Sequence, residues 1–251
     1  MTQATSGARR HAARSRLGAV INKGLGAVGL ELRRRRVRPA DGEGFPSYFE
    51  AASRAGVDVN DWIESDLGWS PALPVLQATT RAHCSPTSVV IELGCGTGRW
   101  SRHLLQWIPA GQLHLVDHSV WVVDWLTTYF ASAPNVHVHL CNGRSIPSAV
   151  PEGADLIFSD GTLIELKLGE IWCYAVEFSR LLRRGGHAVF DFIDIGREEG
   201  WQYLETTAAA LGNCYTYHEQ DVIVRVFEEH GFSLASEYPL GPFIYLDFER
   251  Q

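Results

Sequence analysis

One stretch decides the fold: Val89-Val90-Ile91-Glu92-Leu93-Gly94-Cys95-Gly96-Thr97-Gly98-Arg99. Its apolar first half predicts a buried strand, its alternating glycines predict a tight turn, and an apolar helical pattern begins directly after it. Glycine adopts a positive φ without steric cost and lets a ligand approach the backbone closely. Ligands of open α/β sheets bind beyond the carboxyl ends of the strands. The stretch therefore predicts a small-molecule site at the end of a first parallel strand.

The spacing of the glycines separates two classes of nucleotide-binding enzyme. A dinucleotide-binding turn follows the pattern GxGxxG, which would require glycine at the position of Arg99. The observed pattern is one acid followed by three alternating glycines: Glu92, Gly94, Gly96 and Gly98. We therefore reject a nicotinamide-dependent oxidoreductase.

Strand and helix patterns alternate along the rest of the chain. The strands predicted after the first one lie near 113–116, 136–141, 156–159, 187–193, 233–239 and 243–249. A long amphipathic helix precedes the fifth strand, and the pair Gly185-Gly186 is expected to end it. Alternation of this kind indicates a mostly parallel sheet with helices on both faces.

The acid-and-glycine stretch resembles the first motif of class I S-adenosylmethionine-dependent methyltransferases. The further segments that resemble this family are Asp155 to Gly161, Leu181 to Gly186 and Glu228 to Phe232. The resemblance implies a Rossmann-like α/β fold with an N-terminal helical cap and S-adenosylmethionine as methyl donor. It also implies a seven-stranded, mostly parallel sheet in the order 3-2-1-4-5-7-6, with the seventh strand antiparallel. Residues 55–62 and the arginine-rich leader are loosely similar to bacterial sugar O-methyltransferases of polysaccharide synthesis.

Three segments are expected in the chain. Residues 1–44 form a basic leader and linker, 45–83 form a helical cap over the active site, and 84–251 form the S-adenosylmethionine-binding catalytic domain. Residues 1–38 carry ten Lys or Arg and one acid, a charge of +9 in a chain of net charge −7. The leader is therefore a candidate for contact with an anionic membrane surface. The acidic remainder argues against nucleic acid as a partner.

The cysteines, the N-terminal residues and the aromatic residues bear on where the protein acts and how it assembles. The five cysteines are scattered and odd in number, which favours reduced thiols in a cytoplasmic protein over a disulfide framework. No secretory signal peptide is expected, because no continuous apolar segment follows the first arginines. The aromatic residues and the helix after the glycine turn are compatible with a homodimer.

The donor-binding residues are expected at the ends of the first four strands. Asp117 follows the second strand, and its carboxylate can accept hydrogen bonds from two vicinal ribose hydroxyls. The resemblance places His118 beside the ribose or adenine and gives Asn142 an adenine contact. The complete expected set is Glu92, Gly94, Cys95, Gly96, Gly98, Asp117, His118, Asn142, Gly143 and Ser159.

Three acids are candidates for the chemistry. Asp160 and Asp191 lie at or near the ends of neighbouring strands, which are about 4.8 Å apart, so they could share a site. The resemblance to catechol-type methyltransferases suggests Mg²⁺ between them, although Phe192 stands where those enzymes tend to carry a polar ligand. The alternative is that Asp160 bonds the loop or the cofactor while Asp191 caps a turn. Glu165 is the other candidate base, at a position where related sequences often carry histidine.

The predicted activity is methyl transfer to a hydroxyl of a small molecule, with a sugar or oligosaccharide as first choice. A hydroxyl of high pKa makes a general base or a metal useful. A natural-product phenol or carboxylate is the alternative acceptor, and a cofactor-binding protein without catalysis is the alternative class. Nucleic-acid methylation is disfavoured because Ser159-Asp160-Gly161-Thr162 stands where an (N/D)PP(Y/F) step would be required.

Overall fold

A computed structural model describes residues 45–66, 72–210 and 214–251. The basic leader and linker predicted for residues 1–44 lie outside the described residues, and so does the membrane contact expected of the leader. Trp69, which was expected in the helical cap, lies in the undescribed segment 67–71.

One seven-stranded sheet in the order β3-β2-β1-β4-β5-β7-β6 forms the centre of the described chain. Its strands are β1 Val89–Leu93, β2 Gln112–Asp117, β3 Val136–Leu140, β4 Ala154–Ser159, β5 Leu182–Ile193, β6 Phe232–Leu240 and β7 Phe243–Arg250. The strands β1 to β5 pair in parallel, and β7 runs antiparallel to both β5 and β6. The predicted strand order and the antiparallel seventh strand are confirmed.

Helices connect the strands and precede the first of them. They are α1 Phe45–Ala55, α2 Val59–Asp66, α3 Ala72–Thr79, α4 Ser101–Trp107, α5 Val120–Tyr129, α6 Leu168–Leu181, α7 Glu198–Thr207 and α8 Gln220–Glu228. Two 3-10 helices occupy Arg81–His83 and Leu163–Glu165. No helix in the ranges that the structure describes has both the length and the apolar character needed to cross a membrane.

The sheet separates two hydrophobic cores, because successive side chains of a strand point to opposite faces. Ile91 and Leu93 pack with α6 and α8 on one face, and Val90 packs with α3, α4 and α5 on the other. The central strands are buried on both faces, which explains their nearly continuous apolar sequence. Glu92 lies on the same face of β1 as Val90, so the alternation of side chains along the strand directs its carboxyl into the second core.

The glycine pair before the fifth strand does not end a helix. Helix α6 ends at Leu181, and β5 begins at Leu182, so Gly185 and Gly186 lie inside the strand. Gly185 has a φ of +67°, and a Cβ on Gly186 would lie 3.0 Å from the carbonyl oxygen of Ala154. The pairing of β5 with β4 shifts register here. The predicted helix end was wrong because pairing with β4 already extends the chain at Leu182, and the glycines form an irregularity in that pairing.

The aromatic residues of α1 and α2 pack among themselves and against α5. Tyr48, Phe49 and Trp62 surround a small core with Trp125. The Phe49 and Trp125 rings meet edge to face at a centroid distance of 4.4 Å. These rings therefore hold the N-terminal helices in place through packing.

Candidate functional site

The turn after β1 is a backbone cradle that only glycine can form. Gly94, Gly96 and Gly98 have φ values of +76°, +52° and +83°. A Cβ on Gly94 would lie 1.8 Å from the hydroxyl oxygen of Thr162. Both the dihedral angles and the available space therefore explain the alternating glycines.

Hydrogen bonds from both neighbouring strands fix the start of this turn. Ser159 is fully buried at the end of β4, and its hydroxyl donates to the carbonyl oxygen of Leu93 at 2.9 Å. The backbone N–H of Gly94 donates to the carbonyl oxygen of Val116 at 2.8 Å. Ser159 thus orients the glycine turn through the backbone of β1.

Helix α2 also holds the turn, through a residue that the sequence analysis missed. The side chain of the fully buried Asn60 donates to the carbonyl oxygen of Thr97 at 3.2 Å, and the Thr97 hydroxyl donates back to Asn60 at 2.5 Å. The indole of Trp125 donates to the same Thr97 carbonyl at 3.1 Å. A contact between residues 37 apart leaves no periodic signal, and locally Asn60 reads only as a helix-capping residue.

The side chain of Cys95 turns away from the cradle into the protein. It is 2% exposed, and its thiol lies 3.2 Å from the carbonyl oxygen of Glu92. Burial raises the pKa of this thiol well above its usual value. Cys95 can therefore serve a ligand through its backbone only.

Glu92 is an acid buried near the end of β1. The residue is 1% exposed, and neither carboxyl oxygen accepts a hydrogen bond from the described part of the chain. Burial raises the pKa of this carboxyl from 4.5 to about 8, the charges of Asp160 and Asp117 add to the rise, and Ser101 and Arg99 partly offset it. Such an isolated group is costly to bury, which makes it a candidate for a charged ligand group.

Asp117 ends β2 directly beside the glycine turn. It is 6% exposed, and one oxygen accepts from the backbone N–H of Ser119 at 2.9 Å while the other lies 3.4 Å from the N–H of Gly96. Burial raises the pKa of its carboxyl. The side chain of His118 is 55% exposed and lies 3.7 Å from Asp117. The structure therefore brings Glu92, Asp117 and the glycine turn together at one edge of the sheet.

Asn142 and Gly143 follow β3 at the same edge. The Asn142 side-chain oxygen accepts from the backbone N–H groups of Arg144 and Ser145 at 2.9 and 2.8 Å, so it closes the turn after the strand. Gly143 has a φ of +76°, and a Cβ there would meet no atom within 4 Å. The backbone at Gly143 is consequently open to a ligand.

An ion pair between a buried arginine and a half-buried aspartate lies beyond β4. Asp160 lies 3.7 Å from the guanidinium of Arg99 and accepts a hydrogen bond from the hydroxyl of Tyr245 at 2.5 Å. Arg99 is 6% exposed, and its guanidinium lies 4.3 Å from the centre of the Trp100 ring. Burial and the charges of Asp160 and Asp191 raise the pKa of Tyr245 far above its usual value, so its hydroxyl stays protonated and donates. Neither Arg99 nor Tyr245 could be identified from the sequence as a partner of Asp160.

The two aspartates predicted to share a magnesium ion already have protein partners. Asp191 is 4% exposed and accepts from the backbone N–H of Gly161 at 2.7 Å. Asp160 faces the positive charge of Arg99. A divalent cation between these carboxylates would have to approach a fixed guanidinium, and Mg²⁺ also retains several waters. The arrangement therefore does not fit Mg²⁺, and the alternative in which Asp160 and Asp191 fix the loop accounts better for their contacts.

Glu165 lies on the short 3-10 helix between β4 and α6, next to the segment before α8. Its carboxylate accepts a hydrogen bond from the thiol of Cys214 at 3.2 Å. The hydroxyl of Thr216 donates to the carbonyl oxygen of Leu166 at 2.7 Å, which ties the two segments together. Glu165 is half-buried, so a carboxylate remains accessible on the chain just after Asp160.

Comparison with known families agrees with this geometry. Residues 90–186, which contain the glycine turn, Asp117 and Asp160, match the family model described as a methyltransferase domain. Residues 90–186 thus match a methyltransferase domain, and they lie in a sheet with the strand order expected of the class I methyltransferase fold. The predicted fold, the predicted enzyme class and the predicted methyl donor are thereby confirmed. No curated protein matches the chain at a significant level.

Solved structures with low sequence identity share the methyltransferase fold. A possible exported protein from Bordetella parapertussis is 19% identical, with a TM-score of 0.58 over 71% of this chain and 65% of the other. A TehB-like SAM-dependent methyltransferase from Corynebacterium glutamicum is 17% identical, with a TM-score of 0.56 over 85% and 100%. The mitomycin 7-O-methyltransferase MmcR is 14% identical, with a TM-score of 0.60 over 84% and 62%. The chain thus spans just under two thirds of the Bordetella protein and of MmcR.

Proposed function

We propose that this methyltransferase domain transfers the methyl group of S-adenosylmethionine to a hydroxyl of a small molecule, with a sugar or oligosaccharide as the acceptor. The observation that carries the proposal is the group of carboxylates beyond β4 and β5, next to the glycine turn. The half-buried Asp160 and Glu165 supply carboxylate oxygens there that can accept from hydroxyls, and the buried Asp191 holds the intervening loop through the N–H of Gly161. A polyhydroxylated acceptor matches such an edge because each hydroxyl can donate to a carboxylate oxygen.

The donor fits the residues at the ends of β1, β2 and β3. Glu92 offers a buried carboxyl whose oxygens accept no hydrogen bond from the residues that the structure describes, which suits the ammonium of the donor's amino acid part. Asp117 suits the ribose hydroxyls, while Asn142, Gly143 and His118 lie on the adenine side. The glycine turn gives the donor direct contact with backbone N–H groups, since no Cβ stands in the way.

We assign Glu165 as the general base that accepts the proton of the acceptor's hydroxyl. The donor, when bound, supplies an activated methyl group, and the acceptor oxygen displaces its sulfur in line. Asp160 is engaged by Tyr245 and Arg99, so it is a weaker candidate for proton acceptance and instead fixes the floor of the acceptor site. Glu165 follows Asp160 by five residues, is half-buried, and accepts a hydrogen bond from the Cys214 thiol, which is a weak donor. Alignment and proton acceptance are then the two contributions of the protein.

A natural-product hydroxyl is the second candidate acceptor. The structurally similar protein named mitomycin 7-O-methyltransferase favours it. The aromatic rings of α1 and α2 are partly buried around a small core with Trp125 and do not discriminate between the two acceptors. We also propose a cytoplasmic site of action, which the scattered and odd-numbered cysteines of the sequence favour.

Methyl-labelled S-adenosylmethionine and a panel of acceptors test the proposal. The panel holds free and partly methylated sugars, short mannosides and glucosides, catechols and carboxylic acids, each with Mg²⁺ or with a chelator. We expect label on a sugar hydroxyl, and we expect it to persist in chelator because Arg99 occupies the space beside Asp160. Label on catechols or acids alone would contradict the sugar assignment, and label lost in chelator would contradict our reading of Asp160 and Asp191.

Two variants test the assignment of the proton. Glu165→Gln is expected to lower kcat by about 10²-fold or more, while the dissociation constant of the donor stays unchanged. Glu228→Gln, at the exposed end of α8, is the matched control and should leave kcat unchanged. Full activity of Glu165→Gln would show that another residue accepts the proton.

A further inference from the structure

Two imidazoles and one carboxylate from three separate parts of the chain meet beside β5, away from the donor site. His83 ends the 3-10 helix before β1, His187 lies in β5 and Asp247 lies in β7. His83 Nε2 is 2.9 Å from Asp247 Oδ2, and His187 Nδ1 is 2.7 Å from Asp247 Oδ1. His187 precedes Asp191 by four residues, about 13 Å along an extended strand, so this cluster is separate from the proposed acceptor site.

Ring stacking and burial hold the three side chains together. The two imidazole rings stack with centroids 3.7 Å apart and planes 17° from parallel. The side chain of Asp247 is 3% exposed, whereas those of His83 and His187 are 15% and 19% exposed. The carboxylate is thus anchored inside the sheet, and the imidazoles leave a route to solvent.

We propose that His83, His187 and Asp247 form a binding site for a divalent transition metal ion of the zinc type. Their ligand atoms all lie within 4.8 Å of one another, and no other three His, Cys, Asp or Glu in the described ranges come as close. Neighbouring ligand atoms of a tetrahedral zinc ion, with bonds of about 2.0–2.1 Å, are about 3.3 Å apart. The nitrogen–oxygen distances of 2.9 and 2.7 Å, each to a different oxygen of Asp247, are within about half an ångström of this spacing.

The chemistry of the ligand atoms selects the ion. Two imidazole nitrogens and one carboxylate oxygen suit Zn²⁺, Co²⁺ or Ni²⁺, whereas Mg²⁺ and Ca²⁺ prefer an all-oxygen set. On binding, each ligating nitrogen gives up its proton to solvent or to the other ring nitrogen. Two N–H···O hydrogen bonds are then replaced by bonds to the metal. Three protein ligands leave the remaining coordination position to water.

The ion would cross-link parts of the chain that are distant in sequence. Asp247 is 164 residues from His83 and 60 residues from His187. The folded state assembles the three ligands and the unfolded chain does not, so an ion bound here stabilises the folded state. We therefore expect Zn²⁺ to raise the unfolding temperature, independently of any methyl transfer.

Cobalt titration of the full chain without an affinity tag tests the site. The protein is first treated with a chelator and then titrated with Co²⁺, with visible absorption as the readout. We expect one Co²⁺ per chain with the intense bands of a four-coordinate ion, displacement by Zn²⁺, and no displacement by Mg²⁺. In thermal unfolding, Zn²⁺ should raise Tm and Mg²⁺ should not. Absence of Co²⁺ binding would overturn the proposal.

Variants that keep the hydrogen bonds but remove the ligands make the test specific. His83→Gln places an amide nitrogen near Nε2, and His187→Asn places one near Nδ1, so each can still donate to Asp247. Each should weaken Co²⁺ binding at least about tenfold. His137→Gln is the control, because His137 is exposed on β3 and stacks near His114 in a separate histidine group. Binding that survives both ligand variants, or that is lost in His137→Gln, would overturn the assignment.

Discussion

Glu92→Gln is expected to remove a large pH dependence from the stability of the protein. Burial raises the pKa of the Glu92 carboxyl from 4.5 to about 8, so the folded protein without donor holds the neutral acid at neutral pH. Glutamine has nearly the same shape and carries no charge at any pH. The substitution therefore isolates the effect of ionisation from the effect of packing.

The magnitude follows from the two pKa values. The unfolded chain releases this proton near pH 4.5, whereas the folded protein keeps it until about pH 8, so the folded state binds more protons in between. The contribution is fully present below pH 4.5 and is lost as the pH rises through about 8. Each pH unit in this window removes about 1.4 kcal/mol, so a rise from about pH 5.5 to about pH 7.5 removes roughly 2–3 kcal/mol.

Urea unfolding at the two pH values measures this loss. The free energy of unfolding of Glu92→Gln, relative to the wild type, should increase by roughly 2–3 kcal/mol between about pH 5.5 and about pH 7.5. Other titrating groups cancel in this difference. Glu228→Gln, which changes an exposed acid, should follow the wild type at both pH values. If Glu92→Gln also follows the wild type, the carboxyl is not held as a buried neutral acid, and the reasoning fails.

Donor binding should reverse the protonation of Glu92. An ammonium beside the carboxyl favours its ionised form, so binding should release close to one proton near pH 6.5, a pH between 4.5 and about 8. Calorimetry in two buffers with different ionisation enthalpies counts that proton. We expect release by the wild type and none by Glu92→Gln. No release by the wild type would show that the donor ammonium lies elsewhere, whatever the urea experiment gives.

Three further predictions concern the same site. Asp117→Ala should weaken donor binding more than tenfold in calorimetry, and unchanged affinity would contradict the placement of the ribose. Gly94→Ala should lower the free energy of unfolding in urea by about 2–4 kcal/mol, because strain at positive φ adds to the clash with Thr162. Gly143→Ala is the control: it has the same φ of +76° but open space around it, so it should lower the free energy of unfolding by only about 1 kcal/mol. Tyr245→Phe should lower the free energy of unfolding by about 1.5–3 kcal/mol, because Asp160 loses its hydroxyl donor; an unchanged urea midpoint would contradict that hydrogen bond.

The sequence predicted the fold well where the signal was local. The strand from Val89 to Leu93 and the glycine turn after it were read from adjacent residues, and the structure has both. The strand order came from the family resemblance, since periodicity does not distinguish one strand order from another. The glycine pair at 185–186 misled because a helix-ending signal and a strand irregularity look alike in sequence, and pairing with β4 decides between them.

The individual residues of the site could be predicted from the sequence, but the contacts between them could not. The sequence singled out Asp160 as an acid at the end of a strand, whereas its partner Tyr245 stands 85 residues away on β7. Likewise, His187 and Asp247 come together because β5 pairs with β7, and His83 reaches them from the 3-10 helix before β1. Polar contacts of this kind have no period and no motif, so only the three-dimensional arrangement reveals them.

The buried polar groups of this protein fall into two kinds, and the difference indicates which of them serve ligands. Ser159 and Asn60 have satisfied partners, so their burial stabilises the glycine turn. Glu92 lacks a partner among the described residues, and its ionised form is destabilised throughout the neutral pH range. Buried polar groups normally have hydrogen-bond partners, and Glu92, the acid just before the glycine turn, departs from this rule among the described residues. Departures of this kind concentrate at functional sites. Glu92→Gln should therefore be more stable than the wild type near neutral pH and bind the donor less well, a combination that a purely structural role for Glu92 would not produce.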